Sequence, residues 1–394
     1  MNKIQNIELT EYVPRQFGRD EITPTIEEAL WRNYKNQIKV EAPSIQTGGK
    51  YKLTSQGWVG HIPLTPEFHL TLLPKVQLKN LFGMLEYAYQ LKSFRFLQGL
   101  INCQSLEDFY SQLAHLLALR ILDRGHKGFY RTYISQTAQL GYIRGRINIQ
   151  QTIQKPWNVK LNCHYQEQTG DIKENQILAW TLFIIGRSGL CSERVSPTVR
   201  QAYHILQGLV TLQPCSPADC VGLYNRLNED YRPLHALCRF FLESSGASHE
   251  KGERIMLPFI IDMAKLYELF VAQWLQENPP LGFFVNKQHQ IGIGQHRHFR
   301  IDLLLCHSET GFIRAVLDTK YKAPERASDS DIHQMISYAK ATKCIYAFLI
   351  YPTPLKQPLD IKIDDIRVRS LTFSLDDNLE RAGQSLIEEL LVLL

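Results

Sequence analysis

The sequence predicts a mixed α+β chain in three parts: a β-rich N-terminal module over residues 1–76, a mainly helical middle region over residues 77–245, and a C-terminal α/β domain over residues 246–394. Short apolar runs separated by Gly and Pro, which are typical of strands, fill the first part. Apolar residues at helical spacing begin at Leu78. A small, polar, Gly-containing segment from Ser244 to Glu253 is the best linker candidate and predicts the second boundary.

Length and composition are those of a soluble globular protein. The chain has 394 residues, of which 44% are hydrophobic and 21% charged, and it is long enough for more than one core. No apolar run has the length of a membrane span, and the first residues lack the apolar core of a signal peptide. The eight cysteines include no Cys-x₂-Cys pair, which predicts reduced thiols and a cytoplasmic location. The net charge of +5 permits nucleic-acid binding without requiring it.

Charged residues interrupt two otherwise apolar strands in the last third of the chain. Asp302 lies in the run from Arg300 to Leu305, and Asp318 and Lys320 lie in the run from Ile313 to Tyr321. Residues two apart in a strand point to the same face, and the polar segment between the runs predicts a hairpin. We therefore expect Asp302, Asp318 and Lys320 to meet on one face of two antiparallel strands.

Two carboxylates beside a lysine suit a metal-dependent phosphodiester hydrolase. Isolated charges in apolar strands are costly unless they are paired or bind a cation. Carboxylate oxygens bind Mg²⁺, while a neighbouring lysine steers water and offsets charge on a phosphate. The structural alternative is a buried ion pair. Because the sequence contains no G-x-x-x-x-G-K-[ST] pattern, we do not expect the chain to hydrolyse nucleoside triphosphates through a P-loop of its own.

Helices are expected on both sides of these strands. The stretch from Ile261 to Gln276 has apolar residues at helical spacing and carries Glu268, and a later stretch carries Gln334 and Tyr338 on one face. Glu268 is open to two interpretations, a metal ligand or a solvated helix residue. Gln334 and Tyr338 either belong to the site or pack their helix on the sheet. An apolar run from Cys344 to Tyr351 predicts a further strand.

The order helix, two charged strands, helix, strand resembles the core of the PD-(D/E)xK nuclease superfamily, and Gln334-x-x-x-Tyr338 is similar to the signature of its RecB-like branch. The resemblance implies a restriction-endonuclease-like domain that hydrolyses DNA with Mg²⁺, for which Mn²⁺ would be a substitute. The metal ligands that it implies are Asp302, Asp318, the Thr319 carbonyl and Glu268. The catalytic residues that it implies are Asp302, Asp318, Lys320, Glu268, Gln334 and Tyr338.

Five further segments resemble landmarks of the McrC family, the nuclease subunits of McrBC-type modification-dependent restriction systems. They are Leu78–Tyr89, Ile143–Ile153, Glu174–Leu178, Leu266–Phe270 and Val316–Tyr321. In this sequence Asp318-Thr319-Lys320 stands where Asp-Ala-Lys is commoner in the family. The resemblance implies a role in phage defence. It also implies a division of labour in which a separate McrB-like AAA+ GTPase recognises modified double-stranded DNA and this chain cuts it.

Two alternatives to this function remain open on the sequence. One is a stand-alone repair-type nuclease, and the other is a non-catalytic DNA-binding or assembly subunit that keeps the fold as a scaffold. The middle region also contains two basic, aromatic segments, Arg124–Tyr133 and Tyr142–Ile149. They are either a hairpin with solvated Arg and Lys or a strip that faces phosphates or a protein partner.

Overall fold

The computed structural model describes residues 5–65, 67–91, 103, 105–154, 157–222, 224–245, 249–251, 254–292, 298–322, 324–376 and 378–393. The contacts divide the chain into two compact units: unit 1 consists of Met1–Phe109 with Glu243–Leu394, and unit 2 consists of Tyr110–Leu242. The three-part division stays a prediction, but these contacts group the N-terminal and C-terminal parts in one unit. Part of the predicted linker lies outside the described residues.

The described elements mix helices and strands throughout the chain, which confirms the α+β class. The strands are β1 (Gln5–Thr10), β2 (Arg15–Phe17), β3 (Ile38–Glu41), β4 (Tyr51–Ser55), β5 (Trp58–Thr65), β6 (Phe68–Leu73), β7 (Thr132–Leu140), β8 (Arg146–Ile147), β9 (Leu161–Thr169), β10 (His249–Lys251), β11 (Arg254–Met256), β12 (Phe259–Asp262), β13 (Phe283–Gly292), β14 (His298–His307), β15 (Ile313–Thr319), β16 (Tyr346–Tyr351), β17 (Asp360–Ile363) and β18 (Ile366–Thr372). The helices are α1 (Pro24–Asn33), α2 (Leu78–Ala88), α3 (Leu106–Lys127), α4 (Ile149–Gln154), α5 (Lys173–Arg187), α6 (Ser196–Gln207), α7 (Tyr231–Ser244), α8 (Met263–Glu277), α9 (Asp329–Thr342) and α10 (Leu379–Leu393), with a 3₁₀ turn at Pro217–Cys220. No helix in these ranges is long and apolar enough to cross a membrane.

The N-terminal part of unit 1 contains two small sheets, as its strand-like runs predict. One has the order β1-β6-β5-β12 and the other β2-β4-β3. The strand β12 comes from the C-terminal half of the chain and pairs antiparallel with β5. This pairing corrects the start of the following helix, which was expected at Ile261. The helix begins at Met263 because Asp262 ends the strand and caps the helix by accepting a hydrogen bond from the Lys265 amide.

The C-terminal part of unit 1 contains a six-stranded sheet with the order β13-β14-β15-β16-β18-β17. The strands β14 and β15 form the predicted antiparallel pair, in which Leu303 is opposite Leu317. The strand β16 then runs parallel to β15, and α9 connects the two. The left-handed conformation of Lys343 ends α9, so β16 begins at Tyr346 rather than nearer Cys344.

Unit 2 combines helices with a three-stranded sheet of order β7-β9-β8. The interior contains buried residues of α5, α6, α7 up to Leu242 and α3 from Tyr110 onward. The buried Asn175 side chain donates to the Tyr130 carbonyl and accepts from the Tyr231 hydroxyl. The basic segments do not form a simple hairpin with each other. The strand β7 pairs along its whole length with β9, and the short β8 pairs with the other edge of β9.

Candidate active site

The charged residues of β14 and β15 point to the face of the sheet that α9 covers. Leu304 and Val316 are buried in one cluster with Met335 of α9. Asp302 and Asp318 each lie two residues along the strand from one of these apolar residues, and side chains two apart share a face. The pattern of apolar and charged residues in the two strands therefore directs both carboxylates toward α9.

An ion pair between Asp318 and Lys320 lies at the centre of this region. Asp318 is 2% exposed, and Lys320 Nζ lies 2.6 Å from its Oδ2 atom. No donor among the described residues is aligned with this oxygen for a hydrogen bond. The backbone of Lys320 is fixed as well, because its amide donates to the Ile350 carbonyl at 2.9 Å. The lysine thus leaves the end of β15 in a defined direction.

A chain of hydrogen bonds connects Lys320 to α9. Lys320 Nζ donates to Gln334 Oε1 at 3.1 Å, and Gln334 Nε2 donates to the Tyr338 hydroxyl at 2.6 Å. The Tyr338 hydroxyl in turn donates to the Arg300 carbonyl of β14 at 3.0 Å. Residues four apart lie on one face of a helix, which is why Gln334 and Tyr338 reach the same region. The structure thus brings these two residues together with the lysine.

Asp302 contacts the neighbouring strand through Thr319. Its Oδ2 atom accepts hydrogen bonds from the Thr319 amide at 3.2 Å and from the Thr319 hydroxyl at 3.4 Å. Burial raises the pKa of Asp302, although the hydrogen bond from the Thr319 amide opposes this shift. Burial, followed by the charge of Asp302, also raises the pKa of Asp318. The two carboxylates are therefore close enough to repel each other, an arrangement that a cation would stabilise.

Lys320 keeps its charge in this environment. Burial alone would lower the pKa of Lys320, but the charges of Asp318 and Asp331 outweigh it and raise the pKa. A lysine whose pKa is raised remains protonated at neutral pH. It can donate hydrogen bonds and neutralise negative charge.

Asp331 and Lys322 also belong to this cluster, and sequence reasoning did not identify them as site residues. Asp331 Oδ1 lies 3.8 Å from Lys320 Nζ, and its Oδ2 atom pairs with Lys322 Nζ. Burial alone would raise the pKa of Asp331, but hydrogen bonds donated by Lys322 and Ser328 outweigh it and lower the pKa. The only sequence signal was a Ser328-x-x-Asp331 helix start, which predicts a cap but not a partner.

Glu268 is on α8, as the sequence predicted, and it pairs with Arg300. Its Oε1 atom lies 3.6 Å from Arg300 Nη2, and the arginine side chain is 60% exposed. In the described part of the chain, no group of three or more His, Cys, Asp or Glu side chains is arranged to hold a metal ion. Glu268, Asp302 and Asp318 therefore do not form a three-carboxylate cluster in this geometry.

The carboxylate oxygens of Asp302 and Asp318 still suit Mg²⁺ without Glu268. This ion prefers oxygen ligands and is commonly bound through one or two carboxylates with several waters. Asp302 and Asp318 supply two such carboxylates, although the Oδ2 atom of Asp318 already pairs with Lys320 Nζ at 2.6 Å. The chemistry of this carboxylate pair thus fits a hard cation.

The basic side chains of unit 2 have acidic and aromatic neighbours. The Arg144 guanidinium lies 4.0 Å from the centre of the Tyr165 ring and 3.3 Å from Glu167 Oε1. The Arg124 guanidinium lies 5.2 Å from the centre of the Tyr231 ring, and its Nε atom is 3.4 Å from Asp230 Oδ2. Both arginines therefore already have partners within unit 2. This favours the interpretation that they are structural residues of the local surface over the interpretation that they face phosphates.

Comparison with known proteins gives one family and two similar structures. The model of the family described as McrBC 5-methylcytosine restriction system component matches residues 53–352. A refined half-complex from a tetradecameric assembly of Thermococcus gammatolerans McrB AAA+ hexamers with bound McrC contains a chain that is 17% identical, with a TM-score of 0.61. The match covers 99% of this chain and 100% of that chain, and at this identity it shows the fold alone.

A cryo-EM structure of the Thermococcus gammatolerans McrBC complex contains a chain that is 20% identical, with a TM-score of 0.47. This match covers 70% of this chain and 88% of that chain. No curated protein matches the sequence.

Proposed function

The chain belongs to the family of McrBC 5-methylcytosine restriction system components, and from this premise we propose that it is the nuclease subunit of such a system. The proposed activity is Mg²⁺-dependent endonucleolytic hydrolysis of DNA phosphodiester bonds by a PD-(D/E)xK domain in the C-terminal part of unit 1. The observation that supports it most strongly is the convergence of Asp302, Asp318, Lys320 and Gln334 on the α9 side of the sheet. Burial of several charges lowers the stability of a fold, and such clusters of perturbed groups are common at functional sites.

In this proposal Asp302, Asp318 and the Thr319 carbonyl hold Mg²⁺, and Mn²⁺ is a substitute. When bound, the ion polarises the scissile phosphate and lowers the pKa of a bound water. Asp302 is oriented for this role by the Thr319 amide, and Asp318 by its position beside Lys320. Both carboxylates have raised pKa values without the cation, so binding of the cation favours their charged forms.

Lys320 acts as a charged hydrogen-bond donor. Because the pKa of its ammonium is raised, the group stays protonated, orients the attacking water and offsets the negative charge that develops on the phosphate. Gln334 holds the ammonium through its Oε1 atom, and Tyr338 fixes the amide of Gln334 from the other side. Gln334 and Tyr338 are therefore expected to act by positioning the lysine.

We assign Glu268 an assisting role through Arg300. The two side chains form an ion pair at the edge of β14, two residues before Asp302. An exposed guanidinium is well suited to contact a DNA phosphate, and Glu268 limits the orientations that it can adopt.

The proposed macromolecular partners are modified double-stranded DNA and a McrB-like AAA+ GTPase, and the proposed location is the cytoplasm. The similar Thermococcus chain comes from an assembly of McrB AAA+ hexamers with bound McrC. Unit 2 has several exposed apolar side chains around its sheet and α4, and such groups of apolar residues are typical of a surface that binds a protein. They are Tyr133, Tyr142, Ile143, Ile149, Ile153, Trp157 and Val159.

Replacement of Asp318 by asparagine tests the nuclease proposal. The substitution Asp318→Asn keeps the size of the side chain but removes the charge that binds both the cation and Lys320. We expect cleavage of supercoiled plasmid DNA that carries 5-methylcytosine to fall at least about 10³-fold, in the presence of the GTPase partner, GTP and Mg²⁺. Agarose gels of the plasmid forms provide the measurement.

The matched control is Asp364→Asn, which removes a carboxylate that is 72% exposed and pairs with Lys340 on the surface. This variant is expected to cut like the unmodified chain. If Asp318→Asn cuts equally well, the assignment of Asp318 to the catalytic site is wrong, and if the unmodified chain with its partner does not cut, the non-catalytic assembly subunit is favoured. If the unmodified chain cuts without the partner, the stand-alone nuclease is favoured.

A further inference from the structure

The peptide segment that carries Lys320 is held by residues from the other end of the chain. The Tyr321 hydroxyl donates a hydrogen bond to Glu11 Oε2 at 3.0 Å. The Tyr321 carbonyl accepts a hydrogen bond from the Tyr12 hydroxyl, also at 3.0 Å. Both contacts lie within unit 1, although they join residues about 310 positions apart in the sequence. Tyr321 is thus fixed at its side chain and at its backbone by two consecutive residues that follow β1.

The carboxylate of Glu11 is buried in a way that is unfavourable for the stability of the fold. The residue is fully buried, and its Oε2 atom accepts hydrogen bonds from the Lys75 amide at 3.0 Å and from Tyr321. Its Oε1 atom is buried without a hydrogen-bond partner among the described residues. A buried polar atom without a partner destabilises the fold, so a carboxylate in this position calls for an explanation. Burial also raises the pKa of Glu11.

Tyr12 adopts a backbone conformation that is uncommon for a bulky residue. Its φ is +58°, in the left-handed region that mainly glycine and asparagine adopt. Gly57 leaves space for its hydroxyl, because a Cβ atom at position 57 would lie 2.4 Å from that oxygen. The Tyr12 amide bonds to the Ser55 carbonyl at 3.0 Å, which holds the turn. Two local features therefore combine to bring the Tyr12 hydroxyl to the Tyr321 carbonyl.

We propose that Glu11 and Tyr12 are positioning residues for Lys320. The inference rests on the proposed nuclease function, and both residues lie outside the part of the chain that the family model matches, residues 53–352. Lys320 and Tyr321 are joined by a peptide bond. A displacement of the Tyr321 ring or carbonyl therefore also displaces the backbone from which the Lys320 side chain extends. A misplacement of about 1 Å in an active site can reduce the rate about 10²-fold.

The decisive experiment combines Tyr12→Phe with Lys320→Ala. Tyr12→Phe removes only the hydroxyl that bonds to the Tyr321 carbonyl and keeps the ring. We use the full chain with its GTPase partner, GTP, Mg²⁺ and plasmid that carries 5-methylcytosine, and we measure the maximal single-turnover rate. Tyr12→Phe is expected to lower this rate about 10-fold in the unmodified chain, with the half-saturating protein concentration unchanged. In the Lys320→Ala chain it is expected to cause no further loss, because the residue through which it acts is absent.

Glu11 gives a second test through a conservative pair of variants. Glu11→Ala removes the acceptor of the Tyr321 hydroxyl and is expected to lower the rate, whereas Glu11→Gln keeps an acceptor oxygen and is expected to restore most of it. The matched control is Tyr51→Phe. It removes another tyrosine–glutamate hydrogen bond of the N-terminal part, to Glu27 at 2.7 Å, without a change at Tyr321. This control is expected to leave the rate unchanged.

The possible outcomes distinguish failure of the positioning role from failure of the proposed nuclease function. An equal loss from Tyr12→Phe in both backgrounds would show a general structural role and overturn the inference, as would the absence of any loss. An equal loss from Glu11→Ala and Glu11→Gln would also contradict it. If Lys320→Ala alone cuts at the unmodified rate, the proposed function is wrong, and the positioning role falls with it.

Discussion

Charged side chains are buried beside β15 in unit 1 but partly exposed around the three-stranded sheet of unit 2. In the first region, Asp318 and Lys320 have 3% and 19% of their side chains exposed. In the second, Arg144 and Glu167 have 39% and 44% exposed. Buried charges interact strongly because little water screens them, but they require complete pairing. Exposed charges interact weakly and adjust easily to a new partner.

This difference assigns different tasks to the two regions. Around β15, each charged group has a neighbour that fixes its direction: Thr319 for Asp302, Gln334 for Lys320 and Lys322 for Asp331. Fixed dipoles and charges of this kind suit a chemical step. Around the sheet of unit 2, the exposed Arg146 follows the exposed apolar side chains of Tyr142 and Ile143 in the sequence. That composition suits recognition of another macromolecule.

Among the variants that follow, Lys320→Ala is expected to have the largest effect, because it removes the side-chain ammonium that we assign to the transition state. We predict that the cleavage rate falls about 10²–10³-fold, while Mg²⁺ and DNA affinities change little. Lys340→Ala is the matched control, because it removes the same charge from an exposed position of α9 where it pairs with Asp364, and it is expected to change neither property. Single-turnover cleavage and filter binding measure the two properties. An equal loss of binding and cleavage would identify Lys320 as a DNA-docking residue instead.

A smaller effect is expected when exposed apolar residues of unit 2 are removed. Trp157 and Ile153 are 78% and 70% exposed, so Trp157→Ala with Ile153→Ala should change the free energy of unfolding by no more than about 0.5 kcal/mol. If they bind the AAA+ GTPase, its affinity should fall at least about 30-fold, equivalent to about 2 kcal/mol. Titration of GTPase stimulation by the full chain provides the measurement.

Trp31→Ala is the matched control for this prediction, since Trp31 is an equally bulky side chain, 62% exposed, on α1 of unit 1. Its removal is expected to leave GTPase stimulation intact. Equal losses from the control and from the unit 2 variant would show that exposed apolar residues affect stimulation without a specific surface in unit 2.

Much of the candidate site could be predicted from the sequence because its residues follow local rules. Alternation along a strand placed Asp318 and Lys320 on one face, and helical spacing placed Gln334 beside Tyr338. The contact of Asp331 with Lys320 could not be predicted in this way, because it depends on the distance between α9 and the end of β15. The contacts of Glu11 and Tyr12 with Tyr321 depend on how two distant segments pack.

The fold shows the same limit. The order of elements in the C-terminal part of unit 1 follows from periodicity, and each predicted helix there is present within a few residues. The pairing of β12 with β5 was not predicted, because a four-residue apolar run carries no information about its partner strand. The sheet of unit 2 was missed as a sheet because β8 and β9 are separated by α4 and a loop.

The smallest effect is expected at Arg144, where two interpretations of the basic segment can be separated. The arginine contacts Tyr165 and Glu167 at an exposed position, so Arg144→Ala should lower the free energy of unfolding by less than about 1 kcal/mol. Because these contacts already engage the guanidinium, we expect the DNA dissociation constant and its salt dependence to stay unchanged. Fluorescence anisotropy with duplex DNA over a series of salt concentrations measures both. A salt slope reduced by about one unit would show that Arg144 contacts a phosphate, and the segment would then be part of the DNA-binding surface.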